Sequence, residues 1–163
     1  MIEVRDAGEA DLEAMLAIYN DAVVNTTAVY DYVPRTMEGE LAWFAAKRDQ
    51  KLPVLAAMAD GVAAGFASYG PFRPWPAYLH SVENSIYVAP ERRGQGVGAA
   101  LLGPLIERAR VAGLHTMVAG IDASNTASIR LHAKFGFVEA GLFRQVGWKF
   151  ERWLDLAFMQ KML

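Results

Sequence analysis

Cysteine is absent from the 163 residues, which excludes disulfides, zinc–thiolate sites and a cysteine nucleophile. Its absence suits a reducing cytoplasm. No excess of one charge sign exists either: 16 Lys and Arg stand against 18 Asp and Glu. That balance gives nucleic acid no electrostatic footprint to bind. No apolar run approaches the ~20 residues of a membrane span. The start, Met1-Ile2-Glu3-Val4-Arg5-Asp6, lacks the basic end and apolar stretch of an export signal. Repeats and low-complexity tracts are missing, and no residue spacing calls for a metal.

What remains is a chain with 53% hydrophobic and 21% charged residues. It has the size and apolar content of a single domain, residues 1–163, with one core and no need of a staple. Ile2 to Arg5 reads as a first strand. Asp11 is a candidate helix N-cap before Leu12, Met15, Leu16, Tyr19 and Val23 at helical spacing. A second helix is expected from about Thr36 to Arg48, burying Leu41, Phe44 and Ala45. Asp60-Gly61 between Val54–Ala59 and Val62–Tyr69 predicts a hairpin. Three prolines within 70–76 predict a rigid, irregular, aromatic-rich loop. A strand over Asn84–Val88 follows, then a glycine-rich loop and a helix with Val97, Leu101, Leu102, Leu105, Ile106 and Ala109 on one face. Pro104 lies inside that helix. Thr116–Ile121 reads as a strand covered on both faces. A helix over 126–135 ends at Gly136, and Phe137–Ala140 and Trp153–Met159 are the last strands.

The segment Arg92-Arg93-Gly94-Gln95-Gly96-Val97-Gly98 follows a strand and opens a helix. Unpaired N–H groups and the helix dipole meet there, and the glycines let an anion approach the backbone. The arginines add charge-assisted contacts. A dinucleotide-binding reading is weaker, because the loop lies mid-chain after two arginines. A P-loop reading fails for lack of Lys-Ser or Lys-Thr.

Arg93-x-x-Gly96-x-Gly98 after Ile86-Tyr87-Val88 resembles the signature of the GNAT superfamily of N-acetyltransferases. Asn125-x-x-Ser128-x-x-Leu131, followed by Phe135-Gly136-Phe137, resembles its later motif. The segments Ile18-Tyr19-Asn20, Trp43-Phe44, Ala67–Gly70, Val82–Val88 and Gly147–Leu156 are similar to the phosphinothricin and methionine sulfoximine acetyltransferases. The resemblance implies an α/β (α+β) fold, with a mixed, mostly antiparallel sheet of six to seven strands and about four helices. It implies acetyl-CoA as co-substrate, a small amino-acid analogue acetylated on its α-amino group, no metal, and a homodimer with the aromatic segment Trp148–Trp153 as a contact. Two other functions stay open here: acetylation of peptides or proteins, and a non-catalytic acetyl-CoA-binding module.

Site residues follow from the same resemblance. Backbone N–H groups of Gly94, Gln95, Gly96, Val97, Gly98 and Ala99, with Arg93, would hold the pyrophosphate. Ile86, Tyr87 and Val88 would pair with the pantetheine arm and polarise the thioester. Asn125 and Ser128 would meet that arm, although Asn125 is equally suited to cap its helix. Glu83 shares a strand face with Ser85 and Tyr87 and is the candidate general base. His132 stands where the family often carries a tyrosine acid. Arg73, with Pro74 and Trp75, is the candidate for the substrate carboxylate; Asn84 and Ser85 flank the base, and Lys149 is a second cation. Arg73 stacked on Trp75 at the surface is the competing reading.

Overall fold

The computed structural model describes residues 1–163. Its main elements are β1 (Ile2–Asp6), α1 (Leu12–Asn25), α2 (Met37–Asp49), β2 (Val54–Ala59), β3 (Val62–Pro71) and β4 (Ser81–Val88). They continue with α3 (Val97–Val111), β5 (Thr116–Asp122), α4 (Thr126–Lys134), β6 (Val138–Lys149) and β7 (Arg152–Met162). The strands form one sheet in the order β1-β2-β3-β4-β5-β7-β6. Only β4 and β5 run parallel.

The β2–β3 turn forms as its sequence requires. Asp60 and Gly61 take φ of 54° and 79°, the left-handed pair that matches strand twist. The α3 stripe Val97, Leu101, Leu102, Leu105, Ile106 and Ala109 is wholly buried. It packs against the sheet in a cluster of 18 buried residues. Pro104 sits on the exposed side and the helix continues through it, because water can reach the carbonyl left without a partner. The other sheet face carries a smaller cluster from α1, built on Leu12, Met15, Ile18, Val54, Phe66 and Ala89.

Four local expectations need correction. Asp11 does not cap α1; its carboxylate accepts from the Gly8 N–H at 2.8 Å and pairs with Arg5 at 2.8 Å. A short 3-10 turn over Glu9–Asp11 leads directly into the helix. In α2, Leu41 is exposed and Glu40 is fully buried. Glu40 is tolerated because Arg35, stacked 4.0 Å from the Tyr19 ring centre, donates to it at 2.5 Å. Third, strand pairing extends into the proline-rich loop. Pro71 pairs with Val82, and as the last residue of β3 it withholds no N–H that the ladder needs. Finally, β6 reaches Lys149 rather than Ala140. An edge strand exposed on both sides carries no apolar alternation, and its register shifts between Glu139/Gly141 and Phe143/Gly147.

Gly65 sets how closely these layers approach. A Cβ there would lie 2.7 Å from the Tyr87 carbonyl oxygen and 2.9 Å from Val97 Cγ1. Replacing Gly65 by Ala is expected to cost about 1–3 kcal/mol through overpacking, seen as a lower urea midpoint with an unchanged m-value.

Candidate active site

The site begins where two strands part. β4 and β5 pair only from Ser81–Glu83 to Thr116–Val118. At the parting point Asn84 is buried and its Nδ2 donates to the Val118 carbonyl at 3.5 Å. Its Oδ1 lies 3.2 Å from His132 Nε2, and His132 Nδ1–H donates to the Ser128 carbonyl at 2.8 Å. Two side chains therefore occupy the space where the next ladder bonds would form. Beyond them the β5-facing backbone groups of Ile86 to Val88 have no partner strand.

A cleft of about 700 Å³ lies along this gap. Ile86, Tyr87 and Val88 line one side, Asn125, Ser128 and Leu131 another, and Gly94 to Ala99 the end, Gln95 excepted. Gly94 and Gly96 have φ of 76° and 87°, with nothing within 4 Å of a built Cβ. Conformation, not crowding, requires glycine at both positions, and the space above them is open for an anion. The first free N–H groups of α3 point the same way. Gly98 has another role: a Cβ there would come within 3.0 Å of Leu131, so it lets α3 approach α4. The Gln95 side chain turns back to the Glu91 carbonyl at 2.8 Å. Arg92 is held by Asp60 at 3.0 Å and Arg93 by Asp21 at 2.8 Å, both at the cleft. Asn125 Oδ1 accepts from the Ser128 N–H at 3.1 Å and so caps α4; its Nδ2 makes no bond within the chain and is the group left to meet a ligand.

Glu83, Ser85 and Tyr87 face the opposite side of β4, across from Gly70, Ser68 and Phe66. Glu83 is half-buried, and burial raises its carboxyl above the usual range while the nearby Arg73 charge opposes the shift. Its Oε1 lies 3.0 Å from where a Cβ of residue 120 would stand, so Gly120 makes its berth. Burial, then Tyr19, push the Tyr87 phenol up to about 12 and keep it protonated. Arg73 stacks on Phe72 at 4.2 Å and donates to the Phe72 carbonyl, not on Trp75. Pro74, Trp75 and Ser85 are exposed.

Two expected roles do not match their surroundings. Lys149 is buried, and its ammonium donates to the carbonyls of Val23 at 2.6 Å and Val29 at 2.7 Å. It ties the β6–β7 hairpin to the end of α1, where cations are favoured, and its ammonium is taken up by these two carbonyls. His132 is buried, with both ring nitrogens against protein groups and no place in the cleft lining. Burial holds its pKa below the ordinary value, against a smaller opposing effect of the Ser128 bond. Both nitrogens are thus engaged within the protein, bracing α4 against the strand gap. Sequence reasoning missed Gly120 and Arg152, the second of which lines the cleft beside Phe150. A lone glycine inside an apolar strand was the available signal for the first.

The pattern of the acetyltransferase (GNAT) family matches residues 13–137. The chain belongs to the GNAT family of acetyltransferases. It is 52% identical to the L-methionine sulfoximine/L-methionine sulfone acetyltransferase of Pseudomonas paraeruginosa, over 96% of this chain and 92% of the relative. It is 42% identical to the phosphinothricin N-acetyltransferase of Alcaligenes faecalis, over 98% of this chain and 82% of that protein. An acetyltransferase of Salmonella typhimurium, solved with its cofactor acetyl-CoA, superposes with a TM-score of 0.97 at 44% identity, covering 99% and 94% of the two chains. The seven-stranded sheet and four α-helices are those of the GNAT fold. No helix is long and apolar enough to cross a membrane.

Two glycine substitutions separate the two halves of the site. Gly120→Ala is expected to displace the Glu83 carboxyl and lower kcat about tenfold or more, with the KM for acetyl-CoA unchanged. Gly96→Val, strained at its positive φ, is expected to cost about 1–3 kcal/mol of stability and to weaken acetyl-CoA binding, measured by calorimetry on the folded variant.

Proposed function

We propose that this enzyme transfers the acetyl group of acetyl-CoA to the α-amino group of a small amino-acid analogue of the methionine sulfoximine, methionine sulfone and phosphinothricin class. The observation that carries this reading is the meeting, at one strand, of an open diphosphate cradle and a half-buried carboxylate. The names of the full-length relatives supply the acceptor class.

The residues present fit the donor. The N–H groups of Gly94 and of residues 96–99, with Arg93, would hold its pyrophosphate, while that of Gln95 donates to the Arg92 carbonyl at 3.4 Å; Asn125 Nδ2, Ser128 and the free edge of β4 would hold its pantetheine arm. Bound there, acetyl-CoA supplies the activated thioester. A backbone N–H at Tyr87 or Val88 would stabilise the carbonyl oxygen as charge develops on it. Glu83 would take one proton from the acceptor ammonium; the amine lone pair would then form the C–N bond as the C–S bond breaks, and the coenzyme A thiolate would leave with the second proton of that nitrogen. Arg73 holds the acceptor carboxylate with Trp75 and Pro74 beside it, and its charge keeps the Glu83 pKa from climbing too far to act as a base. His132 and Asn84 contribute by holding the strand gap open.

The protein is read as a cytoplasmic homodimer. Trp148 and Trp153 meet edge to face at 4.9 Å yet remain 47% and 58% exposed, with Phe143 of the same hairpin 53% exposed. Such exposed aromatics on β6 and β7 support a second copy as their cover.

A thiol-release assay with acetyl-CoA tests the reading. Turnover is expected with methionine sulfoximine, methionine sulfone or phosphinothricin; turnover of peptides alone would reverse it. Glu83→Gln is expected to lower kcat by about 10²–10⁴-fold with little change in acetyl-CoA affinity. In the wild type, activity falls as pH drops through the raised Glu83 pKa, since the base is then protonated; the variant should lose that limb.

A further inference from the structure

A second cavity, of about 440 Å³, opens between the C-terminal ends of α2 and α3 and the start of β2. The cofactor cleft lies at the other end of α3, roughly 22 Å away for a helix of this length. Phe44, Leu52, Pro53, Val54 and Val111 give the cavity apolar walls. Three cations line it, Arg48, Lys51 and Arg108, against one carboxylate, Asp6.

The decisive group is Tyr69. Only 3% of this residue is exposed, it lines the cavity, and its hydroxyl makes no hydrogen bond within the protein. Burial pushes the phenol up, with the Arg108 charge opposing, so the hydroxyl is a protonated donor beside a guanidinium. The hydroxyl itself is reached from the cavity and no protein group engages it, so it is free to donate to a ligand. The backbone behind it is fixed, since Lys47 donates to the Tyr69 carbonyl at 2.8 Å. Of the cations, Arg108 is held by Asp6 at 2.9 Å, and Arg48 makes only a loose, exposed 3.7 Å pair with Glu9. Lys51 forms no ion pair and is held at a φ of 56° at the rim.

We propose that this cavity binds a small carboxylate with an apolar body. Its tail lies on the Phe44–Val54–Val111 wall, and its head takes the Tyr69 hydroxyl and the Lys51 and Arg48 charges. Nothing in this inference depends on the acetyl-transfer reading, because the two sites share no residue.

Titration of the ¹⁵N-labelled protein with octanoate, followed by NMR, tests it. Shifts are expected at residues 51–54, 69 and 108–112 and not along 94–99. Tyr69→Phe and Lys51→Glu are each expected to weaken octanoate binding about threefold or more, while acetyl transfer and folding stay unchanged. Octanol is expected to bind at least about fivefold more weakly than octanoate, for want of the charge. No shift at the cavity, equal affinity in both variants, or octanol as tight as octanoate would each overturn the proposal.

Discussion

The site depends on the refusal of β4 and β5 to stay paired. The two strands run parallel for three residues and then separate at Glu83 and Val118. Asn84 and His132 stand in the gap, bonded to β5 and to α4 at once. A continuous ladder there would satisfy the backbone of Ile86 to Val88 and leave no slot. The opening exposes main-chain donors and acceptors that would be costly if buried unpaired. That cost is what makes the slot a receptor for an amide-bearing arm.

The rest of the architecture serves this gap. α3 springs from the strand end, so its first free N–H groups meet the far end of the slot. Gly98 admits α4 beside α3, and the Asn125 cap starts α4 with its amide nitrogen left over. On the other face of β4 the alternation of side chains delivers Glu83 to a pocket floored by Gly120. In the proposed function, cofactor and acceptor would approach the same strand from its edge and its face. Lys149, far from that chemistry, holds the β6–β7 hairpin against α1 through two carbonyls.

Much of this was legible beforehand where the signal is local. The Asp60-Gly61 turn, the α3 stripe and the glycine loop are dictated by backbone sterics and helix periodicity, which act within a few residues. Legibility failed where distant groups set the outcome. Asp11 was drawn from its capping role by Arg5; Glu40 was buried because Arg35 reaches it; β6 formed with little apolar pattern because β7 offered it a ladder. At the site, the open glycine loop and the half-buried Glu83 were readable, while Lys149 and His132 carried chemistry-bearing side chains that the fold spends on backbone carbonyls.

Sequence alone determined the family, the glycine loop that opens α3 and the strand face that Glu83 shares with Ser85 and Tyr87, because each rests on spacing along one strand or one helix turn. Only the tertiary structure decided which polar side chains remain free to act. That choice depends on which carbonyls, amides and charges arrive from elsewhere to occupy them: Val23 and Val29 for Lys149, Asn84 and Ser128 for His132, and nothing for the hydroxyl of Tyr69.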